Sequence, residues 1–364
     1  MKTGFTTGTC AAAAARAALH TLVTGTSPPE VELGLPDGSR FRFVPEECEF
    51  SGSTARCCVR KDAGDDPDVT DGMLVCCRVQ LDTSLQDGEV LFFRGEGVGL
   101  VTLPGLGIEV GGPAINPVPR AMVRQAVAEV MKDHGVKGGV NVTVSIPGGE
   151  EIARKTLNER VGVTGGLSII GTSGRVIPYS EEAYLESVAR MLRVARHACC
   201  GELVLTAGVR SEQLLRPLFP SLPDTAFLHY GNRIGSVLKL LRDEELVRRV
   251  TVGVMLAKAT KLAAGEPDLS SRTVELDREF ISSLVRDAGY GEDIISRAGR
   301  LQLVRSLVDI IPFSANEPFY RLLAERCWGV CSSFLPPVEL RFVLLSMENG
   351  FIDHDGVVCR DIAL

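Results

Sequence analysis

The rhythm of apolar and polar positions changes once along the chain. From Val31 to about Leu103 apolar residues recur at the two-residue period of half-buried strands. Asp37-Gly38, between two short β-prone runs, predicts a hairpin turn. Further strands are predicted over Arg56–Lys61, Met73–Leu81, Glu89–Phe93 and Val98–Leu103, and the run GVNVTVSI over Gly139–Ile146 alternates in the same way. Two helical patterns flank these strands. One is Ala-rich, from about Cys10 to Leu22, with Thr9 as the expected N-cap. The other runs from Pro119 to His134, with Pro119 in the first turn and Gly135 as the stop.

Near Asn158 the pattern becomes an alternation of short apolar runs with helical stretches. Gly166–Ile170 precedes a helix from Ser180 to His197, and Leu203–Leu205 precedes a helix near Ser211. Ala226–Tyr230 precedes a helix from Arg233, and Val250–Val254 a helix to Ala264. Four such β-α units predict a parallel sheet with helices packed on it. Val274–Phe334 reads as helical, and a strand-turn-strand pattern around Met347–Gly350 and Asp355-Gly356 ends the chain. The expected fold is therefore an N-terminal α+β domain, residues 1–157, then a parallel-sheet α/β domain, residues 158–364, with C-terminal helices and a terminal strand pair.

Composition narrows the class. A length of 364 residues suits roughly two domains. Hydrophobic residues at 45% and charged residues at 23% are those of an ordinary globular protein. A formal charge of -7 without a Lys/Arg run argues against nucleic acid, which needs a basic stripe to displace counterions. An anionic small molecule remains compatible, because a basic pocket can sit in an acidic protein. The eleven Cys include the adjacent pairs Cys57-Cys58, Cys76-Cys77 and Cys199-Cys200. Neighbours on a strand face opposite ways, so the expectation is reduced thiols in a cytoplasmic protein. Arg16 interrupts the run Ala11–Ala15, and no apolar stretch reaches about 18 residues, so neither an export signal nor a membrane span is expected.

Candidate chemistry gathers where small polar residues follow the apolar runs: Gly171, Thr172, Ser173 and Gly174, then Thr206 and Gly208, then Gly231 and Asn232. In open α/β sheets ligands bind beyond the carboxyl ends of the strands, where Gly allows close approach and helix N-termini offer free amides. Turn geometry alone also favours these residues. Thr6, Thr7 and Thr9 form a hydroxyl-rich loop suited to an anion or to simple capping. Asn116 and Arg120 arrive at a helix N-terminus, where a carboxylate or phosphate would be welcome. Gly95-Glu-Gly97-Val-Gly99 is not a dinucleotide motif, since no helix follows it; it reads as a flexible loop or a turn. Asp65, Asp66 and Asp68 share one turn, where burial or crowding could make one carboxylate a base; a solvated turn is the plainer reading. Cys327, Cys331, His354 and Cys359 are of zinc-ligand type without a finger spacing, and no protein metal is expected.

Five segments together resemble one family. They are TGFTTGTCAAAAARAA from Thr3, DAGDDPDVTDG from Asp62, GEGVGLVTLPGLGIEVGGPAINPVPR from Gly95, VTVSIPGGEEIARKTLNERVGVTGGLSIIGTSG from Val142, and YGNRIG from Tyr230. Their order and wording resemble the cobalt-precorrin-5B C(1)-methyltransferases of anaerobic cobalamin biosynthesis. That resemblance implies S-adenosylmethionine as methyl donor, a polycarboxylate cobalt-corrin substrate giving cobalt-precorrin-6A, and a Rossmann-like second domain. On this basis Gly171–Gly174, Thr206, Gly208, Gly231 and Asn232 are expected to line the donor crevice. Thr6, Thr7, Thr9, Asn116, Arg120 and Arg175 are expected to hold substrate carboxylates, with Asp65 or Asp66 managing a proton. A homo-oligomer is compatible with all of this. The chain departs from the family pattern at Gly253-Val-Met-Leu-Ala-Lys258 and Asp268-Leu-Ser-Ser271, where Gly-His-Ile-Gly-Lys-Leu and Thr-His-Ser are expected. Two other classes remain open: a non-catalytic tetrapyrrole carrier, which would bind a corrin but not the donor, and a nucleotide-dependent transferase, which would bind ATP.

Overall fold

A computed structural model describes residues 1–267, 269, 277–335 and 338–362. The chain forms two compact units, Met1–Glu181 and Glu182–Leu364. The division falls later than the expected 157/158, because residues 158–181 fold back into the first unit.

Unit 1 opens with β1 (Gly4–Phe5) and α1 (Thr7–Thr24), then the hairpin β2 (Val31–Gly34) and β3 (Arg40–Phe43) around the expected Asp37-Gly38 turn. β4 (Glu46–Ser51), β5 (Thr54–Arg60), β6 (Leu74–Asp82), β7 (Val90–Arg94) and the two-residue β8 (Leu100–Val101) follow. The unit continues through α2 (Pro117–His134), β9 (Gly139–Ser145), α3 (Gly149–Ala153), β10 (Val163–Thr164) and β11 (Arg175–Val176). Its main sheet has the order β4-β5-β6-β9-β7, antiparallel except where β7 runs parallel to β9. α1 lies against β5 and β6 and beside α2.

The local reasons are readable. Ala favours helix and leaves no bulk, so α1 is enclosed on all sides: Ala11 to Ala15 are 0% exposed. Its N-cap is Thr6 rather than the expected Thr9; the Thr6 hydroxyl accepts from the Thr9 amide. Asn116 occupies the N-cap of α2, and Gly135 closes that helix in the left-handed conformation at φ 64°. Val98–Leu103, expected as a full strand, shortens to β8, which pairs with β10.

Two disulfides overturn the expectation of reduced thiols at Cys57, Cys58 and Cys76. Cys57 and Cys58 face opposite sides of β5, as neighbours do, and each meets a different strand. Cys57 is joined to Cys48 on β4, where a bulge between Glu46 and Glu49 shifts the register. Cys58 is joined to Cys76, its direct cross-strand partner on β6. Cys77, Cys199 and Cys200 are free.

Unit 2 contains α4 (Glu181–His197), β12 (Glu202–Thr206), α5 (Val209–Leu215), β13 (Phe227–His229), α6 (Ile234–Leu240), β14 (Arg249–Met255) and α7 (Leu256–Ala263). α8 (Arg278–Asp287), α9 (Glu292–Gly299), α10 (Pro318–Phe334) and the strands β15 (Glu339–Ser346), β16 (Gly350–His354) and β17 (Cys359–Ile362) complete it. The sheet order is β13-β12-β14-β15-β16-β17, with the first four strands parallel and the last two added as an antiparallel meander. Three of the expected parallel strands are present. The fourth is β15 rather than Gly166–Ile170, which stays in unit 1 and threads between two backbone segments. There Gly99 N donates to Leu167 O, Leu167 N to Gly97 O, Ile169 N to Ala114 O and Asn116 N to Ile169 O. Helices α8 to α10 fill the stretch expected to be helical, of which residues 274–276 lie outside the described residues. No helix among the described residues is long and apolar enough to cross a membrane.

Candidate functional site

In unit 1 the motif-rich loops meet at the N-terminus of α1, and they satisfy one another. Thr6 N donates to Gly174 O at 3.1 Å, Gly8 N to Ile170 O at 3.0 Å and Cys10 N to Thr6 O at 3.1 Å. The Thr9 hydroxyl donates to Gly174 O at 2.6 Å, and the Thr7 hydroxyl accepts from Ile170 N at 2.9 Å. All three threonines are buried. The amides and hydroxyls expected to hold substrate carboxylates are thus spent on the Gly171–Gly174 loop. That loop in turn is not a turn of the parallel sheet, as was expected, but the lid of a helix. A Cβ at Gly171 would stand 2.3 Å from the Thr6 hydroxyl. Thr172 and Ser173 at its tip are exposed.

Arg120 is also turned inward. Its Nε donates to Ile115 O at 2.7 Å and Nη2 to Pro113 O at 3.1 Å, bracing the loop that leads into its own helix. The guanidinium lies 5.1 Å from the Phe92 ring, and burial, with Arg124 nearby, lowers its proton affinity. Arg175 donates to the Thr3 hydroxyl at 2.6 Å and sits 5.5 Å from the Phe41 ring. The half-exposed Asn116 side-chain amide makes no hydrogen bond among the described residues.

The acidic turn does not meet the conditions that suggested a base. Asp65 is exposed and accepts from Lys2 N, while half-buried Asp66 accepts from Tyr179 N at 3.0 Å. The member paired with a buried cation is the half-buried Asp68. Burial alone would raise its proton affinity, but Lys61, 2.8 Å away, and the Thr70 hydroxyl and amide outweigh that and hold it below the usual carboxylate range. Lys61 itself is 2% exposed. The Gly95–Gly99 segment, read as flexible, is a backbone junction: Cβ atoms at Gly97 and Gly99 would come within 1.9 Å of Ile146 O and 2.2 Å of Val163.

Unit 2 does gather the remaining expected residues. The register sets Thr206 of β12 opposite His229 of β13 and Gly253 of β14, so the carboxyl ends of three strands are level. Gly208, extended at φ 164°, leads into α5, and a Cβ there would meet none of the described residues within 4 Å. Gly231 and Asn232 form the turn after β13. Gly231 adopts φ 59°, and a Cβ would stand 2.7 Å from the Tyr184 hydroxyl. Lys258 Nζ donates to Gly231 O at 2.7 Å and to Asn232 Oδ1 at 2.6 Å. Tyr184 donates to His229 O at 3.0 Å, and burial pushes its hydroxyl up to about 12. Tyr230 donates to Gly253 O at 3.0 Å.

Sequence reading missed a buried hydrogen-bonded pair at this edge. His229 Nε2 and Glu212 Oε2 are 2.6 Å apart, and Arg216 and Asp224 extend the chain of charges. Glu212 and His229 stand far apart in sequence without a motif, so nothing local marks them. Val254, where the family pattern places a histidine after Gly253, is fully buried in β14. Of Asp268–Ser271, the second departure, Asp268, Ser270 and Ser271 lie outside the described residues. Cys327 and Cys331 are buried on α10, and Cys327 donates to Ala259 O. Among the described residues no three His, Cys, Asp or Glu side chains are grouped to hold a metal ion.

Known proteins match the chain across both units. The model of the CbiD family matches residues 1–178, and that of the CbiD C-terminal domain matches residues 268–356. The cobalt-precorrin-5B C(1)-methyltransferase of Prosthecochloris aestuarii is 61% identical over 362 residues, spanning 100% of this chain and 98% of that protein. The enzyme of the same name from Geobacillus kaustophilus is 40% identical over 327 residues, spanning 90% and 87%. The crystal structure of a cobalamin biosynthesis protein (cbiD) from Archaeoglobus fulgidus is 27% identical, with a TM-score of 0.39 over 74% of this chain and 82% of that one.

Proposed function

The chain belongs to the CbiD family, and from that membership we propose how it performs the family's reaction in anaerobic cobalamin biosynthesis. It methylates carbon 1 of cobalt-precorrin-5B, giving cobalt-precorrin-6A, and takes the methyl group from S-adenosylmethionine. The extent of the family match, which reaches into both units, carries the reaction.

The donor's place is the carboxyl edge of the unit 2 sheet, around Thr206, Gly208, Gly231 and Asn232. The space beside Gly208 supports this, because a ligand can approach backbone there without displacing protein atoms. Bound there, the donor supplies an activated methyl group on a sulfonium. The protein's task is then placement: the Gly231–Asn232 turn is pinned by Lys258 and Tyr184, so it loses little freedom on binding. The macrocycle's peripheral carboxylates are assigned to unit 1, to the unspent Asn116 amide and to Arg120 and Arg175, whose positive charge persists although some of their nitrogens are engaged. Thr172 and Ser173 belong with this surface rather than with the donor. No proton-handling role is kept for Asp65 or Asp66. We assign the enzyme to the cytoplasm with the family's pathway, although Cys48–Cys57 and Cys58–Cys76 are joined.

Anaerobic incubation with cobalt-precorrin-5B and methyl-labelled S-adenosylmethionine, read by mass spectrometry, tests the reaction. The expected result is label on the macrocycle with an equal yield of S-adenosylhomocysteine. Tight macrocycle binding without any donor affinity would instead identify a carrier.

A further inference from the structure

Among the described residues, the carboxyl edge of unit 2 holds a buried hydrogen-bonded pair that the methyl transfer leaves unused. Glu212 lies on α5, the helix that starts just after Gly208; His229 ends β13, just before the Tyr230-Gly231-Asn232 turn. Their contact therefore joins the two turns to which the donor is assigned.

The strand that carries the second turn needs such a tie. β13 is three residues long and, among the described residues, lies at the edge of the sheet and pairs with β12 alone. A short edge strand has few ladder bonds, so side-chain contacts decide how firmly its end is held. Tyr184 and Lys258 hold that end from α4 and α7. Glu212 holds it from α5, through the 2.6 Å contact with the His229 ring. The Glu212 side chain is 2% exposed, so its oxygens need hydrogen-bond partners. Arg216 provides one, with both Nε and Nη2 at 2.8 Å from Oε1. Arg216 is itself fixed by Asp224 at 2.6 Å and lies 4.4 Å from the Phe227 ring. The tautomer with its hydrogen on Nε2 donates to the Glu212 carboxylate and completes this contact.

We propose that Glu212 and His229 form a positioning pair that sets the gap between Gly208 and the Gly231–Asn232 turn, and thereby the affinity for the S-adenosylmethionine donor. The proposal rests on the assignment of the donor to this edge. It places both residues behind the site, acting through the turns they hold.

The test compares His229→Leu, His229→Gln and Glu212→Gln by calorimetric titration with S-adenosylmethionine, steady-state kinetics and amide hydrogen exchange. Gln at 229 keeps an N–H donor near the Nε2 position, whereas Leu removes it. His229→Leu is expected to weaken donor binding on the order of tenfold, the scale seen when an orienting partner is lost. KM for the donor should rise with it, while kcat falls far less. His229→Gln should recover most of the affinity, and Glu212→Gln, which keeps the size but not the charge, should fall between. Faster exchange at residues 230–232 in His229→Leu, restored in His229→Gln, would accompany this. Collapse of kcat in all three variants with donor affinity unchanged would overturn the proposal in favour of direct chemistry by the imidazole. Unchanged affinity and unchanged exchange in His229→Leu would overturn it outright. If the wild-type protein binds no S-adenosylmethionine, the donor assignment fails instead, and the exchange at 230–232 still decides whether the pair holds the turn.

Discussion

The two units treat their polar groups in opposite ways. In unit 1 the hydroxyls, amides and glycines of the most distinctive segments are turned inward. Thr6, Thr7 and Thr9 close the start of α1, and Gly97 and Gly99 let backbones touch. In unit 2 the carboxyl edge is held from behind by side chains of Tyr184, Lys258 and His229, while none of the described residues comes within 4 Å of a Cβ at Gly208. A segment rich in Gly and Thr can therefore mark dense packing as readily as a ligand site. Which of the two it is depends on whether its backbone groups are already satisfied.

That contrast can be broken at several points. The largest effect is expected from Gly97→Ala in unit 1. Its backbone sits at φ 68°, and the new Cβ would stand 1.9 Å from Ile146 O and 2.8 Å from Gly149 N. Strain and overpacking together should cost at least about 3 kcal/mol, read as a lower denaturation midpoint. A midpoint unchanged from wild type would mean the junction is looser than described.

Asp68→Asn should cost about 3 kcal/mol, because it leaves Lys61 buried without its counter-charge. Since the folded Asp68 holds its proton less tightly than the unfolded one, this stabilisation is complete above about pH 4. It is lost as pH falls through the lower, folded value. Acid unfolding curves should show that wild type loses this increment below about pH 4 and that Asp68→Asn does not.

Thr9→Val removes a buried donor from Gly174 O and should cost about 1–2 kcal/mol. Donor binding should be unaffected, and a Thr9→Val protein that loses S-adenosylmethionine affinity would put α1 in the donor site after all. Gly208→Ala is expected to change stability least, within about 0.5 kcal/mol, because its φ of 164° is extended and its Cβ meets open space. Titration should nonetheless show weaker S-adenosylmethionine binding. Equal affinity would move the donor away from this edge.

Strands β2, β3, β5, β6, β7 and β9 of unit 1 and three parallel strands of unit 2 were legible because burial alternates or runs continuously along most of them. β4 was not, since its EECEFS sequence presents charges where an apolar alternation would signal a strand. Gly166–Ile170 misled because a continuous apolar run is the mark of a buried parallel strand. Here the run is buried by two flanking loops rather than by neighbouring strands. Four threonine and glycine positions in a row offered several acceptable caps, and only the path of the 170–174 loop decides for Thr6. Of the proposed site, Thr206, Gly208, Gly231 and Asn232 were singled out by the rule that ligands sit beyond strand ends, and the structure places them at one sheet edge. Glu212 and His229 were beyond reach, because their meeting depends on the packing of α5 against the sheet.

The enclosed run Ala11–Ala15 also bears on how this protein can change over time. Its composition is so plain that it invites dismissal as filler, yet each side chain is completely covered. A methyl group sets how closely helix and sheet approach, and any heavier replacement would push two layers apart together. The run is thus a gauge block for unit 1. Drift should be slowest in the stretch with the least information, and a mutational scan of the chain should find substitutions there among the worst tolerated.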